Sequence, residues 1–203
     1  MDSIFTLTTQ DCVANCFSYS MKRQTTESIM SANELMWIND PRMKKVSQHV
    51  DVIDASVNAL VERMFAVIER MNDSGLAAIQ LGIPQRIVVI DMDDEHGVRQ
   101  RLALINPEVV ERSEETTLHL ELCSSIPQHP LPAERAKRVR MTYTDLDGVR
   151  QSLEAGGALA VCLQHEIDHL DGLSLIDNLS DLKRNRIRTQ LAKLRRKLAP
   201  SGE

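Results

Sequence analysis

The chain has 203 residues and a formal net charge of −5, and 42% of its residues are hydrophobic and 26% charged, which is ordinary for one globular domain with an extension. No apolar run approaches the roughly 20 residues of a membrane-spanning helix, and the first residues lack the basic start and apolar segment of a secretory signal. The four cysteines are too few and too widely spaced for a disulfide framework, so a reducing compartment such as the cytoplasm is expected.

The N-terminal part of the chain shows little periodic pattern. Residues 1–30 are rich in Ser and Thr, which predicts a poorly ordered extension, and a mitochondrial transit peptide is a weaker alternative. Cys12 and Cys16 have the spacing of a metal pair, but without a second pair nearby they are more simply two incidental thiols. We expect residues 1–35 to be an extension and residues 36–203 to form a single domain.

A long amphipathic helix is predicted over about residues 54–71, because apolar residues recur there at helical spacing. The turn sequence Asn72-Asp73-Ser74-Gly75 ends it. The connection that follows, residues 75–82, contains small and apolar residues and one polar side chain, Gln80. Gln80 is either an exposed residue of a tight connection or an amide aimed at a reacting carbonyl, and this stretch alone favours the first interpretation.

Short runs of β-branched and apolar residues predict strands farther along the chain. The predicted strands are residues 87–90, 102–105, 108–120, 139–143 and 149–153. Asn106-Pro107 is expected to end the second strand, and a turn at residues 145–148 joins the last two as a hairpin. Strands on both sides of one buried helix indicate an α+β fold.

That helix is expected to begin at Gly156-Gly157 and to carry a His-Glu-x-x-His motif, formed by His165, Glu166 and His169. Two histidines four residues apart lie on one face of a helix and can bind one metal ion. Glu166 lies about 100° round the helix, where it can take a proton from a water molecule that the metal acidifies. The motif also occurs by chance, but the apolar residues around it favour a metal site, because buried polar groups need partners.

A catalytic metal usually has a third protein ligand. Cys123 lies between a predicted strand and a proline-rich loop, close to Glu121. It is a plausible rigid ligand position, although a buried, inert cysteine is the simpler interpretation of this stretch alone.

The last predicted helix begins at Ser180, ends at about Leu198 and is strongly basic. Residues 181–198 hold eight Lys or Arg residues and one acidic residue, so this segment carries +7 and the rest of the chain −12. A solvated basic face on a packed helix and a contact with nucleic acid are equally consistent with this pattern.

Three stretches resemble, in order, the three motifs of peptide deformylases, G-x-G-x-A-A-x-Q, E-G-C-x-S and Q-H-E-x-D-H. They are Gly75-Leu76-Ala77-Ala78-Ile79-Gln80, Glu121-Leu122-Cys123-Ser124-Ser125 and Gln164-His165-Glu166-Ile167-Asp168-His169. The similarity extends over about residues 40–198. It implies an α+β fold with antiparallel sheets around a central metal-binding helix and a C-terminal helix. It also implies hydrolysis of the N-formyl group from the N-terminal formylmethionine of nascent polypeptides.

The resemblance implies a role for each matching residue. Cys123 would complete a metal site with His165 and His169, holding Fe²⁺ by family preference, with Zn²⁺, Ni²⁺ or Co²⁺ as alternatives. Glu166 would be the general base, while Gln80 and the backbone N–H of Ser124 would stabilise the oxyanion.

Further positions are implied around this centre. Those that would support the ligands are Glu121, Gln164 and Asp168. Those that would contact the substrate are Gly75, Leu122, Val161 and Cys162. The implied partners are an N-formylated peptide and, through the basic helix, ribosomal RNA, with no membrane.

The sequence departs from the family motifs at Asp73 and Leu122, where glycines are usual, and at Ser124, where leucine is usual. Leu122 adds a side chain beside the expected peptide cleft and would force a backbone adjustment if that glycine used a positive φ. The hydrolytic residues are all present, which predicts an enzyme. Two alternatives are an amidase acting on another N-formyl or N-acyl compound and a non-catalytic metal-binding paralogue. A general zinc endopeptidase is disfavoured, because Cys123 and Gln80 do not fit its pattern.

Overall fold

The structure is a computed structural model that describes residues 35–198. The predictions for residues 1–30, including the pair Cys12 and Cys16, lie outside the described residues. In the described part of the chain, no helix is long and apolar enough to cross a membrane.

Within residues 35–198, seven strands form two antiparallel sheets. The larger sheet has five strands in the order β1-β2-β3-β6-β7, and the smaller sheet pairs β4 with β5. The strands are β1 (Gly75–Ala77), β2 (Ile87–Asp93), β3 (Arg99–Arg112), β4 (Thr116–Glu121), β5 (Leu131–Ala136), β6 (Arg138–Thr144) and β7 (Arg150–Gly156). The predicted hairpin is confirmed as β6 and β7.

In the described part of the chain, three α-helices accompany the sheets: α1 (Ala55–Met71), α2 (Gly157–Leu170) and α3 (Asp181–Leu198). Two short 3-10 helices of the same part, Pro41–Lys44 and Ala78–Leu81, lie before α1 and after β1, respectively. The prediction of an α+β fold with antiparallel sheets and a C-terminal helix is confirmed.

Helix α1 begins and ends as its sequence predicts. The Asp54 carboxylate accepts hydrogen bonds from the backbone N–H groups of Ser56 and Val57, at 2.8 and 3.1 Å, and so caps the helix. Asn72 ends the helix with a left-handed φ of 55°. Its apolar stripe is buried, so the helix is fixed by local capping together with one apolar face.

The second predicted strand does not end at Asn106-Pro107, and that prediction is wrong. Strand β3 continues through both residues, and its register with β6 shifts at this point. Asn106 has a φ of 52°, and its side-chain amide exchanges hydrogen bonds of 2.8 and 2.9 Å with the backbone of Val50. A bulge therefore accommodates the proline, which has no N–H to donate, and the strand continues.

The limits predicted for the third strand, residues 108–120, are also wrong. Its first residues belong to β3, and its last belong to β4 in the separate two-stranded sheet. Strand β4 pairs with β5 in a register that places Glu121 opposite Leu131. The sheet changes because the chain bends between β3 and β4, a feature that side-chain alternation does not reveal.

The five-stranded sheet separates two hydrophobic cores. Val88 and Ile90 of β2 lie in the core that contains Leu163 of α2. The alternate residues Ile87 and Val89 lie in the second core, with α1. Helix α2 also contacts β5 of the smaller sheet, so it is buried over most of its surface between the two sheets.

Candidate active site

Helix α2 brings His165, Glu166 and His169 together in the interior. Their exposed fractions are 7%, 5% and 1%, respectively. The two imidazole rings lie edge to face, with centroids 4.9 Å apart. The spacing of the motif therefore places both rings on one buried face of the helix, as expected.

Cys123 reaches the same point from the loop that follows β4. Its Sγ lies 3.2 Å from Nε2 of His169. One donor atom from each of Cys123, His165 and His169 can be chosen so that all lie within 4.8 Å of one another. One thiolate and two imidazoles converging at such distances fit a tetrahedral metal site with a fourth position left for another ligand. The stretch of sequence around Cys123, taken alone, favours a buried, inert cysteine. The structure disfavours that interpretation, because the thiol lies beside two histidines.

A buried ionic network holds His165 in place. Nδ1 of His165 lies 2.7 Å from Oε2 of Glu121. Arg135 of β5 donates to both oxygens of Glu121, at 2.7 and 3.0 Å, and to Asp168 at 2.6 Å. A carboxylate on Nδ1 holds the imidazole in one orientation and leaves Nε2 available to a metal ion.

Arg135 was not identified from the sequence. It is one of many charged residues in the strand-rich region, and no local pattern distinguishes it. The signal that could have indicated such a residue is Glu121, which is expected to support a metal ligand. A buried carboxylate in that role requires a cationic partner.

The electrostatics of the site suit a cation. Burial alone raises the pKa of Glu121, but hydrogen bonds from His165 and Arg135 outweigh it and lower that pKa to about 2, so Glu121 is a carboxylate. Burial lowers the pKa of His169 well below its usual value, so this imidazole is neutral, as a metal ligand must be. Burial also lowers the pKa of His165, yet the Cys123 sulfur and Glu121 outweigh it and raise the pKa. The surroundings of His165 therefore favour a positive charge at that position.

Glu166 is positioned as a general base. Burial, together with the neighbouring carboxylates Asp73 and Glu121, raises the pKa of its carboxyl group to about 7 against the lowering effect of His165. Its Oε2 atom is buried without a hydrogen-bond partner in residues 35–198. A carboxylate with a pKa near neutrality and one uncommitted oxygen can accept and return a proton.

Gln80 is 2% exposed, so the interpretation of an exposed side chain in a tight connection is wrong. Its Oε1 accepts the backbone N–H of Ala77 at 2.9 Å. Its Nε2 donates to Ser125 Oγ at 3.1 Å and lies 3.9 Å from Cys123 Sγ. The carbonyl end is thus anchored by β1, and the N–H₂ end faces the Cys-His-His cluster.

Gly75 and Cys162 lie against Glu166. A Cβ atom on Gly75 would lie 2.9 Å from Cys162 Sγ and 3.1 Å from Glu166 Cγ. A side chain at position 75 would therefore require the Cys162 thiol to move and the Glu166 side chain to give by a few tenths of an ångström. Val161 is partly exposed on the same helix, and its proposed contact with substrate stays a prediction.

Gln164 supports the scaffold of the site. Its amide exchanges hydrogen bonds of 3.0 and 3.1 Å with the backbone of Ala136 in β5 and also donates to Ala160 within α2. It therefore fixes helix α2 to the smaller sheet.

The residues that depart from the motifs lie around the same centre. Ser124 is buried, and its hydroxyl donates a hydrogen bond to Asp73. Leu122 is partly exposed, and it is not among the residues with a positive φ, so its backbone needs no left-handed adjustment. Two departures, Asp73 and Ser124, therefore pair with each other at the edge of the site.

Comparison with known proteins gives one consistent family. The family model for polypeptide deformylase matches residues 32–185. The chain is 42% identical over 158 residues to a peptide deformylase of Rhizobium meliloti, covering 78% of this chain and 91% of that protein. It is 40% identical over 171 residues to a peptide deformylase of Mesorhizobium japonicum, covering 84% of this chain and 97% of that protein.

Solved structures agree in fold. The crystal structure of a peptide deformylase from Ehrlichia chaffeensis matches with a TM-score of 0.75 and 32% identity, covering 79% of this chain and 94% of the other. A peptide deformylase from Legionella pneumophila matches with a TM-score of 0.75 and 33% identity, covering 83% and 98%.

Proposed function

The chain belongs to the peptide deformylase family, and we infer from this that it removes the N-formyl group from the N-terminal formylmethionine of nascent polypeptides. It is a hydrolase of a formyl amide that releases formate and a free amine. The observation that carries this function at the level of the site is the convergence of the Cys123, His165 and His169 donors beside Glu166 and Gln80.

We propose that Cys123, His165 and His169 hold a single divalent metal ion, with Fe²⁺ as the native ion. When bound there, such an ion would supply Lewis acidity for activating a water molecule and polarising the formyl carbonyl. The network of Glu121, Arg135 and the histidine Nδ1 atom fixes the orientation of His165.

The chain's own groups then move the proton and stabilise charge. Glu166 takes the proton of the attacking water at its uncommitted Oε2 and returns it to the amine nitrogen as the C–N bond breaks. The Nε2 group of Gln80 and the backbone N–H of Ser124 donate to the oxygen that becomes negative in the tetrahedral intermediate. Burial of these groups strengthens each interaction by excluding water.

The basic face of α3 is proposed to bind ribosomal RNA. The enzyme would then act in the cytoplasm, on polypeptides that are still being synthesised. Its exposed cations are Lys183, Arg186, Arg188, Lys193, Arg195, Arg196 and Lys197. Arg184 differs, because it is partly buried and donates to the backbone carbonyls of Asp177 and Leu179. It is a structural residue rather than part of the RNA-binding face.

The test is formate release from a formyl-Met tripeptide by protein purified without oxygen and loaded with Fe²⁺ or Ni²⁺. The Glu166→Ala variant is expected to bind one metal per chain and to lose turnover. Glu62→Ala, on the exposed face of α1, is the matched control and is expected to behave as the wild type. No formate from the metal-loaded wild type would contradict the proposed function.

A further inference from the structure

Two of the residues that depart from the family motifs are joined by a hydrogen bond. The hydroxyl of Ser124 donates to Oδ2 of Asp73. The other oxygen of that carboxylate, Oδ1, accepts the backbone N–H of Ser74 at 2.8 Å. Both oxygens of Asp73 are therefore held, one by its own turn and one by the loop that follows Cys123.

The position of Asp73 is fixed by the end of α1 and the start of β1. Its backbone N–H donates to the carbonyl of Ile68 in the last turn of α1, at 2.9 Å. The carbonyl of the next residue, Ser74, accepts the backbone N–H of Asp91 in β2, also at 2.9 Å. Strand β1 begins at Gly75, two residues after Asp73. The carboxylate is thus attached to rigid elements, which is what a group that positions another group requires.

The residue after Ser124 is connected to the other end of the same strand. Nε2 of Gln80 donates to Oγ of Ser125 at 3.1 Å, and Oε1 of Gln80 accepts the backbone N–H of Ala77 at 2.9 Å. Ala77 is the last residue of β1. The loop that carries Ser124 is therefore connected to both ends of β1, through Asp73 just before the strand and through Gln80 at its end.

We propose that Asp73 is a positioning residue for Ser124, whose backbone N–H is the second proposed donor to the oxyanion. This inference rests on the proposed deformylase function and deepens it. A donor stabilises the oxyanion only if it already points at the oxygen when the negative charge develops. The hydrogen bond from the Ser124 side chain to a fixed carboxylate restrains the residue that supplies this N–H. Both proposed donors, Gln80 and Ser124, are then aligned by one strand.

The hydrogen bond is a property of this chain rather than of the family motif. Glycine is usual at the position of Asp73 and leucine at that of Ser124, and neither side chain has an atom that can form such a bond. The two departures therefore act together, and each should lose its effect when the other is removed.

The test is a double-mutant cycle with metal-loaded protein and a formyl-Met tripeptide. Asp73→Ala and Ser124→Ala each remove the hydrogen bond and are expected to lower kcat about tenfold. KM is expected to stay within about twofold, because the donor acts mainly on the transition state. The double variant should lose no more than either single variant, because the bond is already absent in each. Asp145→Ala is the matched control: Asp145 accepts the backbone N–H of Asp147 at 3.0 Å in the turn between β6 and β7, and the variant should retain wild-type kcat.

Asp73→Asn separates the hydrogen bond from the charge. The amide of asparagine can donate to the Ser124 hydroxyl, which both donates and accepts, so the contact survives without a carboxylate. This variant is expected to keep kcat within about threefold of the wild type. The negative charge of Asp73 also raises the pKa of Glu166. A loss in Asp73→Asn as large as that in Asp73→Ala would therefore assign the effect to charge and overturn the positioning role.

Hydrogen exchange of the Ser124 amide gives a readout that does not depend on turnover. In protein loaded with diamagnetic Zn²⁺, NMR is expected to show exchange about tenfold faster in Asp73→Ala than in the wild type, and no change in Asp145→Ala. Additive losses of kcat in the double variant, or wild-type kcat and exchange in Asp73→Ala, would overturn the inference. Such a result, with rapid turnover of the tripeptide by the wild type, would leave the deformylase function standing.

Discussion

Arg135→Met removes the cation of the buried network and leaves its carboxylates in place. The side chain of Arg135 is 10% exposed and that of Glu121 is 6% exposed, so solvent screens this pair little. Methionine preserves much of the volume of the arginine stem and therefore limits any cavity. The stability lost in this variant should therefore report on charge pairing rather than on packing.

The magnitude follows from the contacts. Arg135 donates two hydrogen bonds to Glu121 and one to Asp168. At about 1.5–3 kcal/mol for each charge-assisted bond, three bonds give an upper figure of about 4.5–9 kcal/mol. Removing the arginine also relieves its own desolvation, and the Asp168 carboxylate is 35% exposed, which weakens its share. Breaking a buried ion pair by removing one partner costs about 3–5 kcal/mol, and we expect a decrease of that size in the free energy of unfolding.

Urea unfolding at pH 7, with wild type and variant at the same metal content, measures this change. Arg140→Met is the matched control, because Arg140 pairs with Glu111 on the surface, with side chains 45% and 63% exposed. The control is expected to change the midpoint little. If both arginine variants lose the same small amount of stability, the view that burial makes the Arg135–Glu121 pair costly to break is refuted.

Three further predictions concern other parts of the molecule. Gly75→Ala should lower kcat about tenfold or more at unchanged metal content, because the added methyl would lie 2.9 Å from Cys162 Sγ and 3.1 Å from Glu166 Cγ and so push against the base; kcat equal to the wild type would show that the Cys162 side chain or β1 moves away without cost. Leu122→Gly should change kcat/KM for formyl-Met peptides by widening the cleft, and unchanged turnover of such peptides would show that Leu122 does not shape it. Asp177→Asn tests pH dependence: burial alone raises the pKa of Asp177, but the Lys44 ammonium and hydrogen bonds from the neighbouring loop lower it. Because the folded pKa lies below 3.8, the carboxylate stabilises the fold above that pH, and this stabilisation is lost as the pH falls further. The free energy of unfolding of the wild type should therefore exceed that of the variant by about 1 kcal/mol at pH 7 and by little near pH 2. Chemical unfolding at both pH values checks this, and a pH-independent difference would contradict it.

The sequence alone determined the features that depend on neighbouring residues. Helix α1 follows from apolar residues at helical spacing and from Asp54 at its start. The joint placement of His165 and His169 follows from their spacing on α2, because four residues complete about one helical turn. The ordered motifs then supplied Cys123 by resemblance, although no spacing rule connects a loop to a helix more than 40 residues away.

The tertiary structure decided what depends on contacts between distant segments. The continuation of β3 through Asn106 rests on its hydrogen bonds with Val50, 56 residues earlier. The burial of Gln80 and the identity of Arg135 as the partner of Glu121 likewise arise from strands and loops that meet when the sheets form. Periodicity reports which face of an element is apolar, but it carries no information on which charged residue of another element will lie against that face. In this protein that choice is made by the pairing of β4 with β5 beside α2, which places one arginine between two carboxylates, one of which holds His165 in place.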